Sequence, residues 1–248
     1  MANGLNRFFL QDTKAFVMTN YMTNAGVFTV RDQANAIDLH RLEGGQLGVV
    51  RIEPTNAASD DDPIPAYWLP QGGSCDIPVV ASERKFVFTP DFSGCSLLID
   101  QINDMTYRVY HVTGGGGYFQ TEYNGKRPRQ SELAAALTHE GYGTPGSPRA
   151  LLFMKFEEGR WWIYYQGQTG AGYGLIGNRV ERVQGSSAVD SIRTAGRMPV
   201  ARVTKGEIPL FTSDRLCDGQ LVIPRAPSPA LSVRRPRSPS LMTNLWIY

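Results

Sequence analysis

The chain has 248 residues, 42% of them hydrophobic and 19% charged, so it can bury a sizeable core and lacks the composition of a disordered segment. Its formal charge of +2 makes no case for a nucleic-acid surface, and residues 224–248 hold four arginines with no acid or lysine, which leaves the first 223 residues at −2. Three widely spaced cysteines (Cys75, Cys95, Cys217) argue against a disulfide scaffold, and none stands at metal-ligand spacing from His40, His111 or His139. Neither a metal nor another cofactor is expected.

Residues 1–26 are mixed, with no long apolar leader, and no apolar run in the chain reaches the ~20 residues of a membrane-spanning helix. Val27–Val30 and Leu47–Ile52 read as strands, and Asn56–Pro65, with three consecutive aspartates, as a solvated loop. Lys85–Thr89 is a short strand feeding the turn Asp91-Phe-Ser-Gly94, after which Cys95 opens an apolar run to Asp100. Gln101–Met105 has the Asn-Asp pair of a turn, and Thr106–Val112 alternates as a second strand. The two make a β-hairpin that brings Cys95 and His111 to the same end.

Gly114–Gly117 reads as a flexible or gating loop. Ser131–His139 is the strongest predicted helix, capped by Ser131 and rich in alanine and leucine. Ala150–Phe156 and Trp161–Gln166 flank Glu157-Glu-Gly-Arg160 as a hairpin, with Trp161 and Trp162 on opposite faces. Short strands are expected at Arg179–Val183, Val200–Val203 and Leu221–Ile223. Strands outnumber helices, which predicts an α+β class: a mixed β-sandwich core flanked by helices. One domain is expected over residues 1–223, followed by an extended Pro/Ser/Arg-rich tail, 224–248, with the apolar ending Leu245-Trp-Ile-Tyr248.

Gly172-Tyr-Gly174-Leu-Ile-Gly177 satisfies the dinucleotide pattern, but Asn178–Val183 alternates like a strand and no acid stands about 20 residues on. Cys75 reads as a loop thiol, Cys217 has no histidine after it, and His40 and His139 read as structural. Cys95 and His111 remain: a thiol and an imidazole able to meet are the minimum apparatus for attack on a carbonyl, although each is also a common core residue.

The block from Thr89 to His111 resembles the cysteine-dependent protein-glutamine deamidases. That family includes the catalytic domain of the cytotoxic necrotizing factors, the Burkholderia lethal factor and the chemoreceptor deamidase. Ser93-Gly94-Cys95 matches the family's turn, with Phe92 at the usual leucine; His111 stands 16 residues after the cysteine and Thr89 six before it. The resemblance covers about 25 of the 248 residues. It implies a bacterial toxin or effector that hydrolyses a glutamine side chain in a host protein. Cys95 would be the nucleophile, His111 the base, Thr89 its orienting partner, and the backbone N–H groups of Gly94 and Cys95 the oxyanion donors. It further implies a monomer made in the bacterial cytoplasm and delivered by a specialised secretion system, with the glutamine-bearing protein as its partner. Three alternatives stand beside it: a transglutaminase, a papain-like cysteine protease, and a non-catalytic β-rich binding domain.

Overall fold

The computed structural model describes residues 4–24, 36–41, 49–55, 62–115, 117–142, 149–169, 173–176, 179–182, 191–209 and 214–222. The expected strand at Val27–Val30, much of the acidic loop and the whole 224–248 tail lie outside them.

The chain opens with two short helices, α1 (Gly4–Gln11) and α2 (Thr13–Thr19), the second capped by Asp12, whose Oδ1 accepts the Ala15 N–H at 2.9 Å. Strands β1 (Tyr21–Thr23), β2 (Ala36–Arg41), β3 (Val49–Thr55) and β4 (Ile64–Pro65) form one sheet in the order β1-β3-β2-β4. His40 therefore sits on an exposed strand end. After β5 (Tyr67–Trp68) and β6 (Ser74–Pro78) come β7 (Phe86–Phe88), β8 (Phe92–Ser93), β9 (Ser96–Asn103), β10 (Thr106–Val112), β11 (Glu132–Leu137) and helix α3 (His139–Tyr142). The series continues through β12 (Arg149–Glu157), β13 (Arg160–Thr169), β14 (Tyr173–Ile176), β15 (Arg179–Arg182), β16 (Ser191–Pro199) and β17 (Asp214–Val222). A second sheet runs β11-β9-β10-β6, and the largest runs β17-β16-β13-β12-β7-β5, with β8 also on β12.

The large sheet lies in the middle, and alternation along its strands shows why. Leu151, Phe153 and Tyr164 point into a core shared with α1, α2 and the first sheet (Phe9, Phe16, Leu39, Ile52). Leu152, Met154, Ile163 and Tyr165 point the other way, onto Ile77, Leu97, Ile99 and Val109 of the second sheet. A strand buried on both faces reads as an unbroken apolar run, as Ala150–Met154 does. The architecture is α+β and mostly sheet.

A polar ladder fastens the amino-terminal unit to the large sheet. Buried Gln166 accepts the Met22 N–H at 3.0 Å and donates to the Val17 carbonyl at 2.5 Å and the Asn20 carbonyl at 2.8 Å, while Gln168 donates to the Met22 carbonyl at 2.6 Å. With no water to solvate them, these main-chain groups depend on the two glutamines.

The β12–β13 hairpin forms as predicted, its turn made by Glu158 (φ 53°) and Gly159 (φ 76°), with Trp161 buried and Trp162 partly exposed. Two expectations fail. Ser131–His139 is not a helix: Glu132–Leu137 is β11, paired with β9. A register shift falls between Leu133 and Ala135, and both Ala134 and Ala135 are fully buried in the core, so packing overrides alanine's helix preference. Val200–Val203 is not a strand either; β16 ends at Pro199, and a 3-10 turn spans Val203–Lys205. Tyr173–Ile176 and Arg179–Arg182 form an antiparallel hairpin, so no helix opens where a dinucleotide motif requires one.

Candidate functional site

β9 and β10 pair with His111 opposite Leu97 and Val112 opposite Ser96, which sets Cys95 one residue beyond the ladder, beside Thr113 and the glycine run. β7 delivers Thr89 from the large sheet, and the Asn24 side-chain amide donates to the Thr89 carbonyl. Thr89 Oγ1 and His111 Nδ1 share a hydrogen bond of 2.6 Å. Phe92 stacks on the imidazole at 4.1 Å, and Tyr142, edge-on to Phe92, donates its hydroxyl to the Cys95 carbonyl at 2.7 Å. His111 is held through its backbone as well, by the Gly72 N–H on its carbonyl (2.8 Å) and by its own N–H on the Gly73 carbonyl (3.1 Å).

Burial governs the chemistry here. His111 is 0% exposed, its Nε2 has no hydrogen-bond partner, and burial lowers its pKa to about 3, so the ring is neutral at physiological pH. Cys95 is 5% exposed; burial raises its pKa, opposed by the backbone N–H groups of Gly114 and Ser93 on its sulfur. The other polar contact of the thiol is the Gln71 side-chain amide at 4.0 Å, so the sulfur and the imidazole are not hydrogen-bonded to each other. Gly94 takes the left-handed conformation (φ 90°), and a methyl group on Gly114 would come within 2.7 Å of its carbonyl oxygen. Gly114 thus packs directly on the Cys95 turn. Cys75 lies on β6 with its pKa raised to about 12, by burial first and by Asp76 second. Cys217 falls on β17, opposite Ala195.

A second feature had little signal in the sequence. The segment after the glycine run forms a π-helical turn, Phe119–Asn124, with Tyr118 and Phe119 48% and 42% exposed. Only the adjacency of two aromatics after four glycines hinted at it. No group of acidic, histidine or cysteine side chains capable of holding a metal ion occurs among the described residues, and none of their helices is long and apolar enough to cross a membrane.

The described residues thus form a strand-dominated α+β body in which Cys95 and His111 are buried near one another. Residues 11–117 match the family model described as the Mcf1 activator-binding domain, and over that stretch the chain is similar to it. No curated protein matches the chain.

The match corrects the functional expectation. It spans Thr89, Gly94, Cys95 and His111, the whole block behind the deamidase resemblance, and that stretch is similar to an activator-binding domain, not to a deamidase catalytic domain. The protein-glutamine deamidase recognition, the cysteine-hydrolase activity and the toxin or effector role drawn from it are withdrawn. In the structure, burial raises the Cys95 thiol in pKa and lowers the His111 imidazole, and the two do not share a hydrogen bond.

Proposed function

We propose that this chain is a non-catalytic, β-rich binding domain whose partner is another protein. The observation that carries the proposal is the match of residues 11–117 to an activator-binding domain. The interior supports it. Thr89, His111, Phe92, Tyr142 and Cys95 form a cluster whose contacts tie the hairpin end to the strand before it, to β8 and to α3, which is what a structural junction needs. The bonds of Gly72 and Gly73 to the His111 main chain close it from the β6 side. These residues fix the hairpin, and the partner is met on the surface.

The test uses the full chain, immobilised and exposed in parallel to bacterial and eukaryotic lysates, with retained proteins identified by mass spectrometry and then purified. Saturable binding of a purified protein in calorimetry, with the same affinity for a Cys95→Ser chain, is the expected result. Failure of the native chain to retain any protein beyond what its heat-unfolded form retains would overturn the proposal.

A further inference from the structure

Among the exposed apolar side chains, most are isolated. Phe8 and Leu10 stand on α1, Phe8 against the Phe16 ring at 5.4 Å much as Phe119 lies against Tyr123 at 5.2 Å, and Val80, Met105 and Ile208 stand singly on loops, as scattered surface residues do in any protein. Tyr118 and Phe119 differ in being adjacent, aromatic, and mounted on a backbone that is pinned.

The pinning is extensive. Tyr123, 3% exposed, inserts beneath the turn, packing edge-on against Tyr110 at 5.1 Å and donating its hydroxyl to buried Asp100 at 2.7 Å. Asp100 also accepts from Arg127 Nε and Ser131 Oγ, each at 2.9 Å. Glu122 accepts the Thr113 N–H at 2.7 Å, and Lys126 Nζ donates to the Gly72 carbonyl at 3.1 Å. All the anchors outside the segment (Thr113, Gly72, Asp100, Tyr110) fall within the matched stretch 11–117. Two half-exposed aromatics on a backbone ordered by folding itself lose little further freedom when they bind. Aromatics placed this way are typical binding anchors, and single π-helical turns recur at functional sites.

Charge narrows the partner. Between residues 117 and 131 stand Lys126, Arg127 and Arg129 against Glu122, a local +2 on a body whose first 223 residues total −2. Asp100 neutralises Arg127, whereas Lys126 and Arg129 are exposed and form no ion pair with the described residues. Exposed cations in the same short segment as an aromatic pair favour a partner with apolar contacts and acidic residues at their edge.

We infer that the π-helical turn, with Tyr118 and Phe119 at its start and Lys126 and Arg129 in the segment that follows it, is the face on which the protein partner docks, and that the partner presents an apolar patch edged with carboxylates. The inference rests on the protein-binding reading above. Its test takes the protein captured by the native chain, purified, as the probe. The affinity is measured for the native chain, for a Tyr118→Ala/Phe119→Ala chain, for a Lys126→Glu/Arg129→Glu chain and for a Met105→Ala control.

The aromatic double variant should bind roughly tenfold or more weakly, as loss of interface anchors does, and the control should bind like the native chain. The charge-reversed chain loses the Lys126 bond to the Gly72 carbonyl but keeps the Tyr123 and Glu122 anchors of the turn, and it should also bind more weakly, with a deficit that shrinks as salt is added. Unchanged affinity in both double variants, each shown folded by circular dichroism, would overturn the docking face while leaving the protein-binding reading intact. Failure of the native chain to capture any protein would overturn both.

Discussion

At the scale of single residues, His111 decides what the Cys/His cluster can be. Its folded pKa of about 3 lies below the usual histidine value, so between the two the unfolded chain binds one more proton than the folded one. The stability that follows from burying a neutral ring is complete above the unfolded pKa of about 6.5 and is lost as pH falls toward the folded pKa, at about 1.4 kcal/mol per pH unit. A His111→Gln chain has no such proton to take up. Denaturant titrations at a series of pH values should show its stability falling less steeply over this window than that of the native chain; equal slopes would mean that His111 is solvated. Reactivity of the thiols tests the same point differently. With both pKa values raised by burial, Cys75 and Cys95 should resist iodoacetamide at neutral pH in the folded protein and react in urea, as read by peptide mass spectrometry. Rapid labelling of Cys95 in the native chain would restore it as a reactive group.

At the scale of elements, legibility in the sequence tracked how local each cause is. The hairpins at β9–β10 and β12–β13 announce themselves through alternation and turn residues, because strand pairing across a short turn is a local matter. β11 does not. Glu132-Leu-Ala-Ala-Ala-Leu137 is an excellent helix sequence, and only the space beside β9, together with the Ala201 N–H reaching the Ala134 carbonyl at 3.1 Å, makes it a strand. The spacing of Thr89, Cys95 and His111 could be read from the chain, but the burial of the ring and the lack of a partner for its Nε2 arise from elements distant in sequence and leave no local mark. The π-helical turn was equally hidden, since it depends on Asp100, 23 residues before Tyr123. Asp100→Asn removes the charge that gathers Tyr123, Arg127 and Ser131. It should cost about 2 kcal/mol, the range for hydrogen bonds to a charged group, and should speed amide exchange across residues 118–131 more than elsewhere. Uniform exchange throughout the chain would show that the turn does not depend on this anchor.

At the scale of the molecule, one sheet buried on both faces organises three layers, and the Cys/His cluster lies where the second sheet meets the large one. That position explains why the cluster is buried; the docking face proposed above lies instead on the surface, where the turn carries exposed aromatics and the segment after it two cations without an ion pair among the described residues. The central claim is that the domain binds a protein and does not alter it. The most direct measurement incubates the captured, purified partner with the native chain and with a Cys95→Ser chain, then follows binding by calorimetry and every partner glutamine by peptide mass spectrometry. The account predicts equal affinities and a partner unchanged in mass at every glutamine in both samples; a glutamine converted to glutamate by the native chain alone would contradict it.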